Sequence, residues 1–280
     1  MMDLALSGGR RLGDKVQGNL VLIGGAEDKK GEKVILREVL DMAGGRSANI
    51  LVMTAAARDR EAIGEEYREV FRGLGAQVVR VLHIDSRAEA ADPRNAAAIR
   101  EATGVFFTGG DQLRITALLG GTEVYRELHE AYARGVVIAG TSAGASAMSD
   151  TMIIEGDGRD SPRNLAARMA PGMGLLEEVV IDQHFAQRGR LNRLLVAVAQ
   201  NPYILGIGID EDTALIVGPG GTARVIGSGT VTVVDGKSMS HTNVSEMDLE
   251  QPVALLDARL HVLPPGYAYD LGRRRPIVPE

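Results

Sequence analysis

The chain has 280 residues, no cysteine and a formal net charge of −6 at pH 7. The lack of cysteine excludes a disulfide framework, a thiolate zinc site and a cysteine nucleophile. The acidic balance argues against a nucleic-acid partner, since such proteins normally present a basic face to phosphates. No apolar run is long enough to span a membrane, and the N-terminal residues lack a signal-peptide core, so we expect a cytoplasmic protein without a membrane partner.

The first half of the chain alternates apolar runs with helical patterns, as a parallel β-sheet requires. The predicted strands are 19–23, 49–53, 77–82, 104–107 and 136–139. The predicted helices are 32–42, 61–73, 95–101 and 122–133. In the first of these helices, the pair Val34 and Ile35, then Val39 and Met42, recur at the spacing of one helix face. The order of elements predicts an α/β fold with a doubly wound, mostly parallel sheet covered on both faces.

From about residue 179 the pattern becomes richer in short strands. The predicted strands of this part are 179–181, 205–209, 214–217, 223–226 and 230–234. Turn sequences at 218–221 and 235–236 separate several of them, so we expect β-hairpin additions in the C-terminal third. No linker or internal repeat interrupts the sequence, and we predict a single domain over residues 1–280.

A Gly-x-Ser-x-Gly motif centred on Ser142 follows the apolar run 136–139. This is the pattern of a nucleophile elbow, in which a strand leads into a sharp turn that presents the serine before a helix. Gly140 and Gly144 remove the Cβ atoms where the strand and helix backbones must pass closely. A tight connection with a capping serine is the alternative. The small residues that follow favour Ser142 as a nucleophile.

Ligands of open α/β sheets bind beyond the carboxyl ends of the strands, so residues just after each strand are site candidates. Two glycine pairs stand there, at 24–25 and at 109–110. Neither pair belongs to a G-x-G-x-x-G or G-x-x-x-x-G-K-[ST] motif, which disfavours a nucleotide cofactor. The N–H groups of Gly110 and Ala143 are instead candidates for an oxyanion hole, which acyl transfer requires.

A serine nucleophile needs a base, and the chain has five histidines. The four in less suitable settings are His83, His129, His241 and His261. His184 follows a predicted strand beside Asp182 and Gln183, and we expect it at the same sheet edge as Ser142. A structural histidine is the alternative, but this position favours a general base.

Two carboxylates compete as the residue that orients the base. Glu211 directly follows the strand pattern 206–210, whereas Asp160 lies in a polar segment between the serine and the histidine. We prefer Glu211 because a strand end is a rigid mount for a catalytic side chain, and Asp160 is the alternative.

The segment after His184 contains three arginines, at positions 188, 190 and 193. Arg190 and Arg193 share a helix face, and a guanidinium can make paired hydrogen bonds to a carboxylate. A solvated basic helix start is the alternative, but the first helical turn disfavours positive charge. We therefore expect an anion close by, from a substrate or from an acidic residue of the protein.

Five ordered segments together carry a resemblance to a known family. They are IGGAEDK (23–29), FFTGGDQ (106–112), GTSAGAS (140–146), DQHF (182–185) and GIGIDE (206–211). The set resembles the cyanophycinases, serine exopeptidases related to the α-aspartyl dipeptidases. The resemblance implies a class I glutamine amidotransferase-like (flavodoxin-like) fold, a homodimer, and no metal or organic cofactor. The implied substrate is cyanophycin, a poly-aspartate with arginine on each side-chain carboxyl, which is cut into β-Asp-Arg dipeptides.

By position, the resemblance makes Ser142 the nucleophile, His184 the base and Glu211 the orienting acid. It also implies a substrate pocket formed by Gln112, Asp182, Gln183, Arg188, Arg190 and Arg193. The alternatives are an aspartyl dipeptidase that acts on short Asp-X peptides and a non-catalytic binding module of the same fold.

Overall fold

The computed structural model describes residues 16–156, 162–163, 167–246, 248 and 251–279. The described helices are α1 (Val34–Met42), α2 (Arg60–Gly73), α3 (Arg87–Ala90), α4 (Pro93–Arg100), α5 (Gln112–Leu119), α6 (Glu123–Arg134), α7 (Ala143–Ser146) and α8 (Leu191–Gln200). The described strands are β1 (Leu20–Ile23), β2 (Asn49–Met53), β3 (Val78–Leu82), β4 (Gly104–Phe107), β5 (Val137–Thr141), β6 (Ser149–Glu155), β7 (Arg168–Pro171), β8 (Leu176–Gln183), β9 (Leu205–Ile209), β10 (Thr213–Val217), β11 (Thr222–Gly227), β12 (Val231–Asp235), β13 (His241–Thr242), β14 (Leu255–Leu256), β15 (Arg259–Leu263), β16 (Ala268–Asp270) and β17 (Arg275–Ile277). None of the described helices is long and apolar enough to cross a membrane.

The larger sheet has nine strands in the order β17-β16-β11-β10-β1-β5-β4-β2-β3. The five strands from β1 to β3 in this order are parallel, and the four on the other side pair antiparallel. All four residues of β1 are fully buried, which is typical of a parallel strand covered on both faces. The predicted mixed α/β fold with parallel strands is confirmed, and β10, β11, β16 and β17 extend the sheet as hairpins.

A second sheet of six strands has the order β15-β12-β9-β8-β6-β7. Its strands β6, β8 and β9 are parallel to one another. Our expectation that β8 ends at the same sheet edge as β5 is wrong, because β8 belongs to this smaller sheet. Apolar periodicity identifies a strand but carries no information about which strand it pairs with.

The hydrophobic side chains form layers around the two sheets. Alternate residues of β1 point to opposite faces, so Val21 packs with α1 and α2, while Leu22 faces α4, α5 and α6. Ile181 and Ile207 of the smaller sheet join the cluster that contains Leu22. The smaller sheet therefore packs on the same side of the larger sheet as α4, α5 and α6.

Helix α8 covers the outer face of the smaller sheet, and β9 has glycine where they approach most closely. A Cβ at Gly206 would lie 2.8 Å from Val198 Cγ2 and 3.0 Å from Leu194 Cδ1. The helix that the spacing of Arg190 and Arg193 predicts starts at Leu191 as α8, after a short 3-10 helix at Ala186–Arg188. Gly189, with φ of 61°, separates the two.

We expect Leu194→Ala to lower the free energy of unfolding by about 2–5 kcal/mol, because it opens a cavity between α8 and β9. Leu194 is fully buried, whereas Leu191 on the same helix is 40% exposed. Leu191→Ala is therefore the matched control, and we expect it to change stability by less than about 1 kcal/mol. Urea unfolding measures both; equal losses would contradict the packing described for α8.

Candidate active site

Ser142 occupies a sharp turn between β5 and α7. Its φ of 53° and ψ of −114° are strained for a residue with a side chain, at a cost of order 1–3 kcal/mol. Two glycines make the turn possible: a Cβ at Gly140 would lie 2.6 Å from the Gly144 carbonyl, and one at Gly144 would lie 2.7 Å from the Phe107 oxygen. The Ser142 N–H donates to the Ile23 oxygen of β1 at 2.9 Å. The turn thus holds the hydroxyl at the carboxyl edge of the larger sheet.

His184 links Ser142 to Glu211. Its Nε2 atom lies 3.0 Å from Ser142 Oγ, and its Nδ1 atom lies 2.6 Å from Glu211 Oε1. The histidine side chain is 12% exposed and the glutamate side chain 36%. The structure therefore brings together the three residues that the sequence selected. Asp160, the alternative acid, lies outside the described residues.

The smaller sheet delivers the histidine and the glutamate from neighbouring strands. Gln183, the last residue of β8, pairs with Ile209, the last residue of β9, so both strands end at the same edge. His184 follows the first strand directly, and Glu211 follows the second after one intervening residue. The catalytic candidates thus come from the carboxyl ends of strands in two different sheets.

The two sheets meet at the glycine pair after β1. The His184 N–H donates to the Gly24 carbonyl at 2.7 Å. Gly25 lies against the imidazole, where a Cβ would come within 2.3 Å of His184 Cε1. The sequence indicated these glycines only as ligand-facing backbone and did not reveal that Gly25 makes room for the His184 ring.

Burial and two neighbouring cations lower the pKa of His184. Burial has the largest influence and favours the neutral ring. The hydrogen bond to Glu211 acts in the opposite direction, and the positive charges of Arg188 and Arg190 lower the pKa further. The lowered pKa favours the neutral imidazole, which is the form that can accept a proton from the serine hydroxyl.

One oxyanion-hole candidate, Ala143, directly follows the serine, and the other, Gly110, follows a glycine that lies close to it. Gly110 has φ of 145°, and a Cβ there would lie 2.0 Å from the Ala56 oxygen, so the position requires glycine. The preceding Gly109 lies close to Ser142, since a Cβ on it would be 3.4 Å from the serine Cβ. Ala143 is fully buried as the first residue of α7. Among the described residues, neither the Gly110 nor the Ala143 N–H has a hydrogen-bond partner.

Asp182 is the anion that the arginines at positions 190 and 193 require. It is 1% exposed and accepts from Arg193 Nε at 2.6 Å, from the same guanidinium's Nη2, and from Arg190 Nη1 at 3.2 Å. Burial is the main reason that the pKa of Arg190 falls to about 10, and the positive charges of Arg193 and Arg188 lower it further. The sequence left open whether this anion belongs to a substrate or to the protein. The structure shows that it is a carboxylate of the protein.

The other predicted substrate-binding residues differ in whether their side chains already bind other groups of the protein. Gln183 Oε1 accepts from the Ser142 hydroxyl at 3.2 Å, so this side chain contacts the nucleophile candidate. Gln112 donates to the Ile153 carbonyl at 2.9 Å and ties α5 to β6. Arg188 is exposed and forms no ion pair with any described residue. It is the cation of this group that solvent or a ligand reaches most readily.

Helix α5, which begins at Gln112, was not predicted from the sequence. Asp111 caps it, since its Oδ1 atom accepts from the Leu113 N–H at 2.9 Å. An aspartate immediately before a short apolar segment is the signal that could have revealed this helix start.

The sequence matches the model of Peptidase family S51 over residues 20–226. A cyanophycinase from Synechococcus elongatus is 40% identical over 256 residues, which cover 91% of this chain and 80% of that protein. A cyanophycinase from Geminocystis herdmanii is 40% identical over 263 residues, with 94% and 97% covered.

Two solved structures are similar in fold. The crystal structure of a peptidase from an acI-B1 Actinobacterium superposes with a TM-score of 0.67 at 21% identity, covering 92% of this chain and 98% of that one. A putative peptidase E protein from Listeria monocytogenes has a TM-score of 0.51 at 16% identity, covering 75% and 98%. The family match and the relatives both extend over most of the sequence, and the chain belongs to peptidase family S51.

Proposed function

We propose that this family S51 peptidase is a serine exopeptidase that hydrolyses cyanophycin to β-Asp-Arg dipeptides. The observation that carries the proposal is the continuous contact from Ser142 through His184 to Glu211. The 40% identity to cyanophycinases over more than nine-tenths of the chain supports the substrate. In this proposal, the strained turn at Ser142 is a nucleophile elbow.

The reaction follows acyl transfer. Ser142 Oγ attacks a backbone carbonyl of the polymer while His184 Nε2 takes the hydroxyl proton, and Glu211 holds the ring and stabilises the imidazolium. The N–H groups of Gly110 and Ala143 stabilise the negative oxygen of the tetrahedral intermediate. His184 then gives its proton to the leaving amine, and the acyl group remains on the serine. A water molecule, deprotonated by the same imidazole, releases the acyl group and restores the enzyme.

The arginine-rich segment supplies charge for a polymer that carries both carboxylates and guanidinium groups. Arg188 is exposed, so we assign it to a substrate carboxylate, with Arg190 beside it. Gln183 and Gln112 offer amide groups to the same substrate. Asp182 and Arg193 neutralise each other in the interior, and we propose that they contribute mainly by holding Arg190 and Gln183 in place.

The wider predictions from the family resemblance belong to the same proposal. We propose a class I glutamine amidotransferase-like fold, one domain over the whole chain, and a cytoplasmic homodimer that works without a metal or organic cofactor. Size-exclusion chromatography with light scattering measures the oligomeric state directly.

Ser142→Ala should abolish hydrolysis, with at least about a 10⁴-fold loss, because among the described residues the Ser142 hydroxyl is the one that hydrogen-bonds His184. Release of β-Asp-Arg from cyanophycin granules measures activity, and a fluorophosphonate probe measures labelling of the serine. Ser146→Ala is the matched control, since that hydroxyl donates to the Ile181 carbonyl at 3.2 Å and should leave labelling intact. Substantial turnover by folded Ser142→Ala would refute the nucleophile assignment.

Glu211→Gln should lower kcat by about 10²- to 10⁴-fold, because an amide stabilises neither the tautomer nor the imidazolium that the reaction needs. The comparison variant is Asp160→Asn, which removes the alternative carboxylate. Steady-state hydrolysis of a soluble β-Asp-Arg oligomer measures both. A severe loss in Asp160→Asn with normal activity in Glu211→Gln would reverse the assignment.

The acid limb of the pH profile of kcat/KM should have its midpoint below 6.5, the ordinary pKa of histidine, because burial and two arginines lower the pKa of His184. Arg188→Gln removes one of these cations, so the pKa should rise and the limb should move to higher pH. Arg87→Gln is the control, since that exposed guanidinium donates to the Ala117 carbonyl on α5. An unchanged limb in Arg188→Gln would contradict this electrostatic account.

A further inference from the structure

We call the segment 24–28 the β1 loop. It contacts His184 itself, the residue after Glu211 and the residue before Ser142. Its contact with the base is the most direct. The Gly24 carbonyl accepts from the His184 N–H at 2.7 Å, and Gly25 leaves space for the imidazole. His184 itself has φ of 48°, a strained conformation that its surroundings must hold.

The other end of the β1 loop is tied to the residue after Glu211. The Asp212 N–H donates to the Gly25 carbonyl at 2.9 Å, and Asp212 Oδ1 accepts from the Asp28 N–H at 2.9 Å. Asp212 also has a positive φ, of 47°. A displacement of the β1 loop would therefore move the backbone that carries the orienting acid.

Glu27, in the middle of the β1 loop, contacts the strand that carries the nucleophile. Its Oε2 atom accepts from Thr141 Oγ1 at 2.6 Å, and its Oε1 atom accepts from the Tyr67 hydroxyl. Thr141 directly precedes the strained Ser142. The side chain of Glu27 is thus joined to the proposed elbow through a single residue.

The burial of Glu27 calls for an explanation. The residue is 4% exposed, and none of the described lysine, arginine or histidine side chains forms an ion pair with it. The nearby Lys29 instead bonds Glu66 at 2.7 Å. A buried carboxylate without a cationic partner is unfavourable compared with an apolar side chain of similar size, so stability alone does not account for it.

We propose that Glu27 is a positioning residue of the active site, an inference that rests on the proposed function. Through Thr141 it fixes the backbone on which Ser142 is strained. Through the β1 loop it keeps His184 and Glu211 aligned with that serine. Errors of about 1 Å in the placement of reacting groups reduce rates by about 100-fold, so this contact controls kcat rather than substrate affinity.

The sharpest test compares Thr141→Val with Thr141→Ser. Valine keeps the branched shape but loses the hydroxyl that Glu27 holds, whereas serine keeps the hydroxyl and loses only a methyl group. We expect Thr141→Val to have a kcat about 10- to 100-fold below that of Thr141→Ser, with similar KM on a soluble β-Asp-Arg oligomer. The rate of fluorophosphonate labelling of Ser142 should fall in parallel, and the acid limb of the pH profile should not move.

Glu27→Ala tests the carboxylate itself. We expect a similar loss of kcat, and the double variant with Thr141→Val should lose no more than the worse single variant, because both break one contact. Glu127→Gln is the matched control, because Glu127 is also buried, at 3% exposure, but pairs with Arg100 and Arg134 between α4 and α6. It should keep a normal kcat in its folded fraction.

The outcomes separate this inference from the proposed function. A wild-type Ser142 that does not react with the probe would overturn both. A reactive wild type in which Thr141→Val and Thr141→Ser share the same kcat and labelling rate would overturn only the role of Glu27. If Glu27→Ala does not fold, the comparison of the two Thr141 variants decides alone.

Discussion

The site depends on the contact between the two sheets at Gly24 and Gly25. Ser142 follows a strand of the larger sheet and His184 follows a strand of the smaller one, so the proposed proton transfer between them requires the two sheets to keep a fixed relative position. The hydrogen bond from the His184 N–H to the Gly24 oxygen, at 2.7 Å, joins the two sheets at this point. The absence of a side chain at Gly25 then lets the imidazole approach, since a Cβ there would overlap the ring. A larger residue at position 25 would clash with the imidazole and push His184 away from Ser142.

Local sequence patterns were sufficient to identify the parallel strands of the larger sheet and the three residues that meet at the candidate site. Buried parallel strands consist almost entirely of apolar residues, and the turns that follow them contain glycine, so β1, β2, β4 and β5 were visible as runs that end abruptly. The motif around Ser142 was recognisable because so sharp a turn between a strand and a helix needs small residues on both sides. The division into two sheets was not predictable in this way, because strand pairing is set by long-range contacts between segments of similar composition.

The pairing of charged residues could not be predicted from the sequence either. The spacing of Arg190 and Arg193 correctly indicated that an anion lies near them, but could not say whether it comes from a ligand or from the protein. Asp182 fills that role because β8 passes beneath the start of α8, a fact of tertiary packing. Glu27 lies in one of the segments that carry the family resemblance, but the sequence assigned it no role, because only the fold brings it into contact with Thr141. The sequence spacing thus indicated where charged side chains cluster. The fold determines which of them pair within the protein and which can still bind a ligand.

The same arginines serve two needs of the proposed reaction. Arg188 and Arg190 lower the pKa of His184, which keeps the free enzyme's base unprotonated, while Glu211 acts in the opposite direction. A weak base is a poor proton acceptor, so a permanently lowered pKa would slow attack by the serine. Under the proposed function, a substrate carboxylate beside Arg188 offsets part of this positive charge, and the pKa of His184 rises once the substrate is bound. Binding of the correct substrate therefore strengthens the base at the moment when it must accept the proton.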